Sequence, residues 1–76
     1  MNRAPRMTGV EVVQAVNPGG FRLIRIHGSH HYLRKPGAGG LVTVPVHGAK
    51  MLPQKTLQSI LRQSGLTSDE LHGLLH

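Results

Sequence analysis

The chain of 76 residues has no cysteine and no tryptophan, one phenylalanine, one tyrosine and only three acidic residues. Without cysteine there is neither a disulfide framework nor a thiolate metal site, which fits a cytoplasmic protein. So short a chain buries only a thin core. No apolar run approaches the roughly 20 residues that a membrane-spanning helix needs. Arg3 and Arg6 are not followed by the apolar stretch of a signal peptide, so residues 1–6 read as a disordered start and residues 7–76 as a single domain. The scarcity of acids also removes one common nuclease chemistry, because there is no carboxylate cluster to hold magnesium. No cofactor is expected.

What the chain does have is positive charge. Nine Lys and Arg against three acids give a formal net charge of +6 before any of the six histidines is counted. On so small a domain this excess points to a polyanionic partner, either nucleic acid or an acidic protein surface.

The hydrophobic pattern predicts the order α-β-β-β-α with a short extra helix at the C-terminus. Thr8 and Glu11 have the spacing of a capping box and open a first helix. In it Val10, Val13 and Val16 recur at helical spacing, flanked by Val12 and Ala15. Asn17-Pro18-Gly19-Gly20 ends it. Phe21 to Ile26 reads as a strand with Arg22, Ile24 and Ile26 on one face, and the Ile24/Ile26 face is expected to be buried. His27-Gly28-Ser29 turns the chain into a second strand, about His30 to Lys35. Pro36 to Gly40 is a flexible turn. Leu41 to Val46 forms a third strand that buries Val42, Val44 and Val46. Leu57, Ile60 and Leu61 mark a helix running from just after Pro53 to about Ser64, closed by Gly65. Thr67 and Glu70 repeat the capping-box spacing before Leu71, Leu74 and Leu75. The expected fold is α+β, a three-stranded antiparallel sheet with helices on one face.

The candidate chemistry sits in Gly28-Ser29-His30-His31-Tyr32-Leu33-Arg34-Lys35-Pro36. Side chains alternate across a strand. If Leu33 is buried, His31 shares its side, while His30, Tyr32 and Arg34 project from the other. Thr43 points the same way from the next strand, as does His47 if the alternation continues. Arg25 joins them if Ile24 and Ile26 are buried. The outcome is an uncovered basic face bearing histidine. Such a face suits RNA cleavage without a metal: a histidine takes the proton from a ribose 2′-hydroxyl, and Arg or Lys stabilises the phosphoryl oxygens. His30 is the candidate catalyst, with Ser29, Arg25, Tyr32, Arg34, Lys35 and His47 as candidate assisting or RNA-binding residues. Other roles compete. His31 suits a half-buried structural ring with a hydrogen bond, and Tyr32 either packs or offers a base a platform to stack on. A zinc shared by His27, His30, His31 and His47 is opposed by the alternation, which sends His30 and His31 to opposite faces. The same face would also serve a non-catalytic RNA-binding module.

Several segments taken in order carry a resemblance. They are Gly28-Ser29-His30-His31 with Leu33-Arg34-Lys35-Pro36, then Val42-Thr43-Val44-Pro45-Val46-His47-Gly48, then Leu52-Pro53, then Thr56 through Leu66. Together they resemble the HicA-type toxins of bacterial type II toxin–antitoxin modules, over roughly Met7 to Leu75. The resemblance implies a double-stranded-RNA-binding-like fold and a ribosome-independent mRNA interferase. It also implies a HicB-type antitoxin partner, with a toxin–antitoxin oligomer of higher order. The family's catalytic histidine, which falls in the Gly-Ser-His segment, corresponds to His30. The segment Asn17 to Gly20 departs from the family's pattern, in which the first helix extends further.

Overall fold

A computed structural model describes residues 6–37 and 40–74 of the chain. The expected disordered start up to residue 5, the middle of the Pro36–Gly40 turn, Leu75 and His76 lie outside the described residues. The elements are α1 (Gly9–Val16), β1 (Arg22–His27), β2 (His30–Arg34), β3 (Leu41–Pro45), α2 (Gln54–Ser64) and α3 (Ser68–Leu74). The strands form one antiparallel sheet in the order β1-β2-β3. The α+β, α-β-β-β-α order with a final helix is therefore as expected. Among the described residues no helix is long and apolar enough to cross a membrane.

Local sequence sets the helix ends. Thr8 Oγ1 accepts from the Glu11 N–H at 3.1 Å, and Glu11 Oε1 accepts from the Thr8 N–H at 2.9 Å, so both arms of the capping box form. Thr67 and Glu70 repeat the motif ahead of α3, at 2.9 and 3.1 Å. Gly65 closes α2 in the left-handed region, with φ 75°, and its N–H donates to the Leu61 carbonyl. The Asn17–Gly20 turn stops α1 at Val16, and the Phe21 N–H donates back to the Val16 carbonyl.

The core is aliphatic with one aromatic. Val12, Ala15 and Val16 from α1, Leu33, Val42 and Val44 from the sheet, and Leu57 and Ile60 from α2 are buried, together with Phe21 and Leu71. Each large side chain of this kind contributes about 1.5–3 kcal/mol on burial. Of the α1 valines, Val12 and Val16 are buried, while Val10 is 41% exposed. Among the described residues three buried side chains, Met7, Phe21 and Leu52, lie outside regular elements. The Leu52 N–H donates to the Met7 carbonyl at 2.8 Å, and Thr8 and Met51 form an isolated bridge beside that bond. The loop before α2 is thus stitched to the start of α1.

The helical layer lies off-centre. Both α1 and α2 pack on β3, and α3 packs on α1. Every residue of β1 is consequently exposed. This corrects the expectation for Ile24 and Ile26, which are 53% and 54% exposed. The physical reason is twofold. A β-bulge between Leu23 and Arg25 inserts Ile24 as an extra residue and resets the alternation. Ile26 then does point to the helical side, opposite His31, but α1 and α2 pack on β3 and leave Ile26 uncovered. His31 is half-buried beside Leu33 as expected, yet its Nδ1 is buried without a partner, so the expected hydrogen bond is missing.

Three substitutions test this packing. A Cβ on buried Gly9 would collide with the Pro45 carbonyl oxygen, whereas one on Gly73 in α3 meets nothing. Gly9→Ala should cost about 1–3 kcal/mol, while Gly73→Ala should add roughly 0.5–1 kcal/mol, both read by denaturant unfolding. His31→Val removes the orphaned nitrogen from a strand position flanked by Ile26 and Val44. It should raise stability by about 1 kcal/mol, visible as a higher Tm, and a lower Tm would refute the packing described for that ring.

Candidate active site

The site begins with a two-residue reversal. Gly28 and Ser29 link β1 to β2, and His27 pairs with His30 across the turn. Gly28 has φ 61°, and no residue other than glycine has positive φ among the described residues. Positive φ at the first turn position alone is the II′ pattern, which glycine adopts without strain and which matches the strand twist. The turn fixes the parity of β2. His30 falls on the open face, and His31 with Leu33 falls on the helical side.

Register assembles the rest. On the open face His30, Tyr32 and Arg34 of β2 stand opposite His27, Arg25 and Arg22 of β1. On their other flank stand Pro45, Thr43 and Leu41 of β3. The bulge brings Arg25 to this face independently of any burial of Ile24. The Arg25 guanidinium carbon lies 5.4 Å from the Tyr32 ring centroid, within cation–π range. The His30 and Tyr32 rings meet edge to face, at 6.4 Å and 65°. Tyr32 is half-buried and His30 is exposed. Arg25, Tyr32 and His30 therefore form one connected row with the imidazole at its open end.

The electrostatics of the face are one-signed. The acids of the chain are Glu11, Asp69 and Glu70, in α1 and α3. No carboxylate sits on the sheet, so the arginines of the open face keep their field for an incoming anion.

The other sequence candidates are more scattered. Ser29 is in the turn, where its carbonyl accepts the Val46 N–H at 2.8 Å. Lys35 follows β2, and its methylenes lie over Gly20, at the far end of the strand from His30. His47 lies past the end of β3, so it does not continue the strand's alternation. It lines a separate cavity of about 260 Å³ with Pro45, Lys50, Met51, Leu52, Pro53 and Thr56. His27, the cross-strand partner of His30, was not among the candidates for catalysis. The signal that could have found it is the closing pair of a two-residue hairpin.

The profile of the HicA toxin of bacterial toxin–antitoxin systems matches residues 9–66, well over half of the sequence. The chain belongs to the HicA toxin family. It is the toxin of a toxin–antitoxin system, and an antitoxin is its implied partner. The matched HicA region runs from α1 to the end of α2, taking in the open face and the His47 cavity and leaving out α3. No curated protein shows significant similarity to the chain.

Proposed function

We propose that this HicA-family toxin is a metal-independent endoribonuclease that cleaves mRNA in the cytoplasm without the ribosome and is neutralised by a HicB-type antitoxin. The observation that supports it is an exposed histidine, His30, set at the end of a basic sheet face that bears no carboxylate. His30 accepts the proton of a ribose 2′-hydroxyl as that oxygen attacks the adjacent phosphorus. The bond from phosphorus to the 5′-oxygen breaks, and the leaving oxygen takes a proton from an acid. The products are a 2′,3′-cyclic phosphate and a 5′-hydroxyl, so atoms and charge balance without any metal. His27, opposite His30, His47 in the next loop, or water supplies the second proton. Arg25 and Arg34 stabilise the charge that develops on the phosphoryl oxygens, and Tyr32 offers a base a face to stack on. Ser29 holds the turn, and Lys35 extends the basic track along the strand. The antitoxin acts by laying an acidic surface over this face, in an oligomer of toxin and antitoxin.

The experiment is expression of the wild type and of His30→Ala in a bacterium, followed by analysis of growth and transcript ends. The wild type should arrest growth and leave transcripts ending in 2′,3′-cyclic phosphate. In vitro the cleavage should persist in a chelator, and His30→Ala should slow it by about 100-fold or more. RNA that is bound in a salt-dependent way but never cut would overturn the enzyme and leave a non-catalytic RNA-binding module. Equal toxicity of the two proteins would remove His30 from the mechanism.

A further inference from the structure

We infer that the cavity between the end of β3 and the start of α2 is a nucleobase subsite. It takes the base of the nucleotide next to the one attacked and selects a carbonyl-bearing base over adenine. This rests on the reading of the chain as a protein that acts on RNA.

Placement comes first. Pro45 is the cross-strand neighbour of His30 on the open face and is also a wall of the cavity. The Val46 N–H donates to the Ser29 carbonyl, so the loop carrying His47 is hydrogen-bonded to the turn carrying His30. A nucleotide bound at His30 therefore has this cavity beside it.

The cavity is also preformed. Its loop is tied at the β3 end by the Val46–Ser29 bond and at the other end by the Leu52–Met7 bond. Between them the Lys50 N–H donates to the His47 carbonyl at 3.0 Å, closing a turn that presents both side chains. Binding here costs little ordering of the loop.

The lining chooses the ligand. Pro45, Met51, Leu52 and Pro53 make it mostly apolar, and Met51 is left 46% exposed at its edge. A phosphate against such walls would lose hydration without recompense, whereas the flat face of a base buries against proline rings and a thioether. At about 260 Å³ the space is smaller than the roughly 300–1,000 Å³ typical of larger ligands and suits one base. The polar groups are His47, Lys50 and Thr56. A lysine ammonium only donates. It pairs with the carbonyl oxygens of guanine or uracil, whereas adenine has no carbonyl and offers only ring nitrogens flanking its amino group.

The test is a titration of the full chain, followed by the amide signals in ¹⁵N-correlated NMR spectra, with GMP, UMP, AMP and inorganic phosphate in turn. The amides of His47, Lys50, Met51 and Thr56 should shift with GMP and UMP, at least severalfold more weakly with AMP, and not with phosphate. Lys50→Gln should erase the preference among bases while leaving the spectrum of the sheet unchanged. Equal shifts with phosphate alone would make the cavity an anion site and overturn the inference. So would shifts of equal size for all bases, or no shift in these amides at millimolar nucleotide. The experiment needs no cleavage. Base-dependent shifts in a chain that never cuts RNA would refute the enzyme and keep the subsite, and cleavage without such shifts would refute the subsite alone.

Discussion

A strand can send only every second side chain to the same side, and the whole arrangement of this HicA-family toxin depends on which parity β2 takes. The Gly28-Ser29 reversal and the burial of Leu33 set it together. Leu33 between the sheet and the helices cannot be turned outward without exposing the centre of the core. A slip of one residue would exchange His30 for His31 and bury Tyr32 and Arg34 in place of Leu33. The hydrophobic core thereby dictates which of two adjacent histidines meets solvent. The same constraint leaves His31 with a buried nitrogen that has no partner, a local defect accepted on the structural side of the strand.

The second organising fact is the sideways shift of the helical layer. With α1 and α2 on β3, the sheet is asymmetric between its edges. The outer edge of β3 is closed: the Thr43 N–H donates to Gln63 Oε1 of α2 at 3.0 Å, and Pro45 has no N–H to offer. Its loop is sewn to the start of α1 through Met7 and Thr8, and Gly9 lets the helix approach the Pro45 carbonyl. The rigid side of the molecule is therefore the side on which the His30 turn and the His47 cavity meet. On the opposite edge β1 is left with a bulge and a row of arginines interspersed with Leu23, Ile24 and Ile26, all exposed. Like charges along that edge oppose its pairing with a second copy of the chain.

Much of this was legible in the sequence. Both capping boxes, the Gly65 stop, the limits of β2 and β3 to within a residue and the faces of both strands follow from local rules that the fold obeys. Where the reading of β1 went astray, the cause is the bulge: periodicity presumes an unbroken ladder, and with Ile24 inserted Arg22 and Leu23 take the faces opposite to those expected, while Arg25 and Ile26 keep theirs. The exposure of Ile26 had a different origin, the distance of the helices from β1, which no local pattern encodes. In α1 five apolar residues among the seven from Val10 to Val16 allowed more than one stripe, and tertiary packing chose Val12, Ala15 and Val16. The grouping of Arg25, Tyr32 and His30 could be anticipated because it lies on neighbouring strands. The cavity around His47 could not, because it is built from a loop, a strand end and a helix start that only the tertiary fold brings together.

In the proposed reaction the two adjacent histidines have opposite duties. The direct measurement is the rate of RNA cleavage by purified His30→Asn beside that of purified His31→Val, each first shown to be folded by its unfolding transition. His30→Asn should lose cleavage and keep its stability, while His31→Val should keep cleavage and gain stability. A folded His31→Val protein that has lost cleavage, beside a His30→Asn protein that retains it, would contradict the parity on which the site rests.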